Sequence, residues 1–175
     1  MSKRVKQLVS ALSARITEQD REFIARNLDS AQAALFWQMN LPDQRHALNV
    51  AYTAFELSAG DCTVDQELLI QCALLHDVGK VQGDVSTADK IITVILDKCA
   101  PGWARRWARL GRGSKVANLR HAVYIYYNHA VRGAAMLQAI GAPQPVIEIV
   151  MRHHEASAAG EPPELRLLRA ADSLH

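Results

Sequence analysis

Apolar residues recur along the chain at helical spacing, and no stretch shows the sustained alternation of a half-buried strand. A short amphipathic helix is predicted over residues 4–14. Thr17 is expected to cap the next helix, because acidic residues occupy the first turn that follows it. Further helices are predicted over residues 33–39, 44–58, 88–98 and 124–140. The pattern therefore predicts an all-α fold, a helical bundle.

The most apolar of the predicted helices lies in the middle of the chain. Thr63 or Asp65 is expected to cap it, and it is apolar on most sides, which places it at the centre of the fold. It ends in the doublet His76-Asp77, followed closely by Lys80. A carboxylate can bridge two cations, but a lone His-Asp pair is more often a surface salt bridge or a helix cap. The function of the doublet therefore depends on the other polar residues of the chain.

Several further imidazoles and one carboxylate lie at or near the ends of predicted helices: His46, His129, His153, His154 and Asp172. A helical bundle can bring such groups together in its core. Imidazole and carboxylate ligands suit a divalent transition metal, one or two ions of Fe, Mn, Zn, Co or Ni, rather than Ca. Adjacent helical residues point about 100° apart, so His153 and His154 could both bind only at a helix end, and one ligand from this pair is expected rather than two.

Composition and charge narrow the class of protein. A length of 175 residues suits a single domain over residues 1–175, with a helical preamble at 1–42 and the core at 43–175. The net charge of +2 is too small for the field of the whole protein to attract nucleic acid or a membrane. Three scattered cysteines favour a reducing compartment, and no apolar run approaches the ~18–20 residues of a transmembrane helix. We therefore predict a cytoplasmic protein without a transmembrane segment.

A basic segment over residues 98–120 contains seven cationic residues and no acidic one. Trp103, Trp107 and Leu110 would share one face of a helix there. Three interpretations are open: a surface helix whose tryptophans pack on the core, a lid over an anionic substrate, or a contact with a membrane or nucleic acid. The residues predicted to make an anionic contact are Arg105, Arg106, Arg109, Arg112 and Lys115.

The order His46, His76-Asp77, Asp172 resembles the HD-domain metal-dependent phosphohydrolase superfamily, and the run HDVGK is similar to the HDIGK (HDIG-type) form of its signature. The resemblance covers roughly residues 44–175. It implies an HD-domain helical bundle in which these four residues hold one metal ion and Asp77 is the bridging carboxylate.

The additional histidines, His129, His153 and His154, resemble the extended set of the two-metal members. Those members include the HD-GYP cyclic-dinucleotide phosphodiesterases and the YqeK-type dinucleoside tetraphosphate hydrolases. The Gly-Tyr-Pro loop of the HD-GYP proteins is missing, since residues 156–163 read ASAAGEPP. The resemblance therefore implies a binuclear site without the marker of cyclic-dinucleotide activity.

The resemblance also implies the reaction. We expect a bacterial enzyme that hydrolyses a phosphomonoester, a phosphodiester or a nucleotide phosphoanhydride with a metal-activated water. Its partner would be a phosphorylated small molecule or nucleotide. Asp77, Lys80 and Arg132 are the predicted catalytic residues. The side chains of Lys80 and Arg132 are the predicted phosphate contacts. Lys80 could equally be only a helix C-terminal cation. The alternative function is a nucleotide-binding or signalling HD module with little or no turnover.

Overall fold

The computed structural model describes residues 15–175, so the helix predicted over residues 4–14 lies outside the described part. Its helices are α1 Glu18–Asn27, α2 Ser30–Trp37, α3 Leu41–Leu57, α4 Gln66–Leu75, α5 Thr87–Cys99, α6 Pro101–Trp107, α7 Lys115–Ala139, α8 Gln144–Arg152 and α9 Pro163–Leu174. Residues 15–175 contain no strand, only an isolated antiparallel bridge between Met39 and Val81. The predicted all-α bundle is confirmed. None of these helices is both long and apolar enough to cross a membrane.

Helix α4 lies at the centre of the bundle, as its apolar composition predicts. It packs against α3, α8 and α9, and also against α1 and α2. Its buried residues are Leu69, Ile70, Cys72, Ala73, Leu74 and Leu75. The long helix α7 packs against α8, and α5 and α6 pack against α7. The end of α4 therefore lies where α3, α7, α8 and α9 converge around it.

Short polar side chains decide where several helices begin. The Thr17 hydroxyl accepts a hydrogen bond from the Asp20 amide, and the Asp20 carboxylate accepts one from the Thr17 amide, so the predicted cap is a capping box. Of the two candidates for α4, Asp65 is the cap. Ser114 caps α7, which begins at Lys115 rather than at the predicted Tyr124. The prediction missed these first turns because their cationic and exposed residues break the apolar period.

The basic segment does not form the single helix that was expected. Pro101 opens the short helix α6, which ends at Trp107, and Leu110 lies beyond it in an exposed loop. The predicted common face of Trp103, Trp107 and Leu110 is therefore wrong. Trp103 stacks on Trp107 with ring centroids 5.1 Å apart, and it stays exposed instead of packing into the core.

The preamble is joined to the core through a buried carboxylate. Asp20 accepts hydrogen bonds from the Arg45 guanidinium and from the Tyr52 hydroxyl, each at 2.8 Å, and both partners lie on α3. Burial alone would raise the pKa of Asp20. The hydrogen bonds from Thr17, Arg45 and Tyr52 outweigh burial and lower that pKa to about 2. The ionised carboxylate is therefore part of the packing between α1 and α3.

We expect Asp20→Asn to lower the free energy of unfolding by about 2–3 kcal/mol near pH 7, since each pKa unit corresponds to about 1.4 kcal/mol. Asp20 has a lower pKa in the folded chain than its ordinary 3.8, so its contribution is fully present above that value. It is lost as the pH falls through about 2. Urea unfolding between neutral pH and the acid limit measures the difference between the two proteins. The exposed Glu22→Gln on the same helix is the control, and an equal loss there would contradict the prediction.

Candidate metal centre

Three buried imidazoles are held by the backbone in the same way. The Nδ1 atom of His76 lies 2.8 Å from the carbonyl oxygen of Ala73, that of His129 lies 2.9 Å from Tyr126 O, and that of His153 lies 2.6 Å from Val150 O. A carbonyl oxygen only accepts, so Nδ1 carries the proton in each ring. In the neutral ring Nε2 then presents a lone pair, which is the form of imidazole that binds a metal ion.

One group of possible ligands combines His46 of α3, His76 at the end of α4 and Asp172 of α9. The Nε2 atom of His46 lies 3.0 Å from Asp172 Oδ1, and the Nε2 atom of His76 lies 4.0 Å from the same oxygen. The three ligand atoms lie within 4.8 Å of one another. Residues far apart in the sequence are thus close enough to share one ion.

A second group combines His129 of α7 with His153 and His154, and its ligand atoms also lie within 4.8 Å of one another. The Nε2 atoms of His129 and His154 are 2.8 Å apart. Helix α8 ends at Arg152, so the two consecutive histidines follow its last residue. Both histidines therefore lie at a helix end, which is the condition under which two consecutive residues can face one site.

The Asp77 carboxylate lies between the two groups and is buried. Its Oδ2 atom is 3.5 Å from His76 Nε2 and 3.9 Å from His46 Nε2, while its Oδ1 atom is 3.3 Å from His129 Nε2. Asp77 Oδ1 and His153 Nε2 are both buried and have no hydrogen-bond donor. Buried acceptors without a donor are rare and costly. A divalent cation in each group would satisfy them, so the donor set fits two metal ions.

The protonation states also suit metal binding. Burial lowers the pKa of His129 to about 3 and that of His153 to about 2, so both rings are neutral. Burial alone would raise the pKa of Asp77, but the Lys80 ammonium and the neighbouring imidazoles hold it well below its usual range. Burial alone would lower the pKa of His46, but its hydrogen bond with Asp172 raises it. The proton shared by that pair is the one that an ion would replace.

Of the two predicted phosphate contacts, Lys80 lies in the candidate site and Arg132 forms other contacts. The Lys80 ammonium lies 2.7 Å from Asp77 Oδ2 and is therefore inside the candidate site. The Arg132 guanidinium donates to the Gly79 carbonyl oxygen at 3.1 Å and pairs with Asp84. Its predicted role as a phosphate contact stays a prediction. His121 belongs to neither group of possible ligands and accepts a hydrogen bond from the Gly111 amide at 3.4 Å.

Two features beside the ligands were missed from the sequence. Gly79 follows the doublet and lies against the backbone of α7 at His129 and Gly133, with no room for a side chain. A cavity also opens beside Lys80, with walls that include Val85, Ile125 and Thr93. The Thr93 hydroxyl is buried without a hydrogen-bond partner. The sequence signal for it was a single threonine among isoleucines and valine on α5.

A comparison with protein-family models matches residues 44–175 to the HD domain. That match covers most of the chain, and the two groups of possible metal ligands lie within it. The chain belongs to the HD-domain metal-dependent phosphohydrolase superfamily. A comparison with curated proteins and a comparison with solved structures each found no match. HD domains bind divalent metals, and both groups of His and Asp residues could hold one.

Proposed function

We propose that the protein is a binuclear, metal-dependent phosphohydrolase that acts on a phosphomonoester, a phosphodiester or a nucleotide phosphoanhydride. One observation carries this proposal. The buried Asp77 carboxylate turns one oxygen toward His46 and His76 and the other toward His129. This is the position of a carboxylate that bridges two ions, and a pair of ions can hold both the attacking and the leaving oxygen of a phosphoryl transfer.

The residues that would hold the ions follow from the two groups. His46, His76 and Asp172 would bind one ion, and His129, His153 and His154 would bind the other, with Asp77 shared between them. When bound, two divalent cations supply a Lewis acid that lowers the pKa of water and offsets the charge of the phosphoryl group. The contacts from Nδ1 to backbone carbonyls keep three of these imidazoles in one orientation and one tautomer.

The other residues of the site would bind and orient the substrate. Lys80 is the cation nearest the bridging carboxylate, so it would contact a non-bridging phosphate oxygen as a point charge. Since Lys80 also lines the cavity that contains Thr93, the organic part of the substrate would lie there. Arg132 would hold the backbone after Gly79 in place, and it would have to leave Asp84 to touch phosphate itself.

Elemental analysis combined with turnover tests this proposal. Protein purified without chelator and loaded with Mn²⁺, Fe²⁺, Co²⁺, Ni²⁺ or Zn²⁺ is expected to hold two ions per chain. It is also expected to hydrolyse members of a panel of p-nitrophenyl phosphoesters and nucleotides. His46→Ala and His153→Ala are each expected to retain one ion, because each removes a ligand from a different group. Both variants are expected to lose turnover.

His121→Ala is the matched control, because His121 is buried but belongs to neither group. It is expected to retain both ions. A loss of both ions in each single variant, or one ion per chain in the unchanged protein, would contradict the two-group assignment. Two bound ions and saturable nucleotide binding without turnover on the panel would instead support the signalling module.

A further inference from the structure

Helix α5 exposes its apolar side chains and buries a polar one. Ile91 is 53% exposed and Ile95 54% exposed, and Ile92 and Val94 are also exposed. The buried residue of this helix is Thr93. This arrangement is the reverse of an ordinary amphipathic surface helix, which turns its apolar stripe toward the core. A cluster of exposed aliphatic side chains on one helix indicates a surface that meets a partner.

Helix α6 and the loop after it add an aromatic residue and a set of cations. Helix α6 begins directly after α5 and packs against it. Trp103 is 53% exposed and Leu110 62% exposed. The exposed cations are Lys98, Arg105, Arg106, Arg109, Arg112 and Lys115. A shallow groove lined by Arg109, Arg112 and Arg120 also includes Leu110, so cationic and apolar groups meet at one place.

We refer to the exposed residues of α5, α6 and the loop over residues 91–115 as the α5–α6 surface. A second copy of the chain fits this surface poorly, since a two-fold interface would place the same cations against one another. Nucleic acid would pair with the arginines, and a base would stack on the exposed Trp103, but a nucleic acid has no apolar layer to cover the aliphatic side chains of Ile91 and Ile95. A partner that is anionic at its surface and apolar just beneath it matches both properties.

We propose that the α5–α6 surface binds the interface of a bilayer that contains anionic phospholipids. Arginine side chains are suited to lipid phosphates, and tryptophan and isoleucine to the boundary between headgroups and acyl chains. The groove lined by Arg109, Arg112 and Arg120 is the place where a headgroup phosphate binds. The protein thus associates peripherally through a folded surface, and this association is independent of the chemistry at Asp77.

Co-sedimentation with large unilamellar vesicles tests the proposal. The full chain is expected to bind vesicles of phosphatidylcholine with about one third phosphatidylglycerol, and to bind pure phosphatidylcholine at least tenfold more weakly. Binding is expected to weaken as the salt concentration rises. The triple variant Arg106→Gln, Arg109→Gln, Arg112→Gln is expected to lower the partition coefficient at least tenfold. The double variant Ile91→Ser, Ile95→Ser is expected to lower it by a similar factor.

Two matched variants control for net charge and for exposed apolar area. Arg21→Gln, Arg26→Gln, Arg166→Gln removes the same charge from exposed positions elsewhere, and Phe55→Ser, Leu57→Ser removes exposed apolar groups from α3. Both are expected to bind vesicles like the unchanged chain, and circular dichroism confirms that each variant is folded. The proposal is overturned if the controls lose binding equally or if the unchanged chain ignores anionic vesicles. It is also overturned if the chain prefers duplex or single-stranded DNA at the same salt, or forms a dimer that the isoleucine variant dissociates.

Discussion

The Asp77→Asn protein is expected to bind neither ion tightly and to lose turnover by a factor of about 10³ or more. The carboxamide carries no charge, and only one of its two polar atoms is an acceptor, so it cannot bridge the two groups of ligands. The same change leaves the Lys80 ammonium without its counter-charge at 2.7 Å. We therefore also expect the free energy of unfolding of the metal-free protein to fall by about 1–3 kcal/mol. This is less than the full cost of an unpaired buried charge, because the Lys80 side chain is 27% exposed.

Removing the lysine as well separates these two effects. The double variant Asp77→Asn, Lys80→Met is expected to recover most of the lost stability, because no unpaired charge remains, while ion binding and turnover stay absent. Lys80→Met alone is expected to retain two ions and to lower kcat/KM by a factor of about 10–100, the scale of one phosphate contact. Asp61→Asn, an exposed carboxylate between α3 and α4, is the matched control. Normal turnover in Asp77→Asn would contradict the proposed site.

Among the glycines in the described part of the chain, Gly79 is the one whose substitution by alanine is expected to lower the free energy of unfolding the most. A Cβ atom at this position would lie 2.0 Å from the His129 carbonyl oxygen and 2.9 Å from the Gly133 amide nitrogen. These are backbone atoms of α7, so no side chain can rotate away, and α7 must move from the turn that carries His76 and Asp77. We expect a loss of about 3–5 kcal/mol in the free energy of unfolding, in the upper range for point substitutions.

Because one of these backbone atoms belongs to His129, the movement of α7 is also expected to weaken ion binding at the proposed site of His129, His153 and His154. Ion binding at the proposed site of His46, His76 and Asp172 is expected to be less affected, which elemental analysis at limiting metal would show. Gly102→Ala in α6 is the matched control, since a Cβ atom there meets nothing within 4 Å. Helix propensity alone would make that control neutral or slightly more stable. Equal stability of the two variants would contradict the close-packing argument.

The parts of the fold that the sequence predicted are those fixed by local physical chemistry. Capping side chains such as Thr17 act within one turn, and the apolar composition of α4 places it in the core whatever surrounds it. The beginning of α7 could not be found this way, because tertiary contacts hold its exposed cationic turns. One such contact is that of Arg120, which donates to the Trp107 carbonyl oxygen. The stacking of Trp103 on Trp107 is a local contact between residues four apart on α6, but the sequence did not show that Trp103 stays exposed instead of packing into the core.

The candidate site was also predictable from the sequence only in part. The residue types and their order were readable from the chain, but their grouping required the convergence of α3, α7, α8 and α9 on the end of α4. No spacing could show that His153 and His154 both lie beyond the last residue of α8. The Gly79 contact with α7 joins positions about fifty residues apart, so it was equally invisible. Its signal was only a glycine in the HDVGK run, which can have several causes.

The hydrogen bonds of Asp20 join residues before the family match to a helix inside it. The family match begins at residue 44, so it contains every predicted ligand and both α3 partners of this carboxylate. A chain shortened to the match would remove the Asp20 carboxylate that accepts from the Arg45 guanidinium and the Tyr52 hydroxyl, and Arg45 is the residue directly before His46. Residues before the family match therefore support the helix that carries the predicted ligand His46.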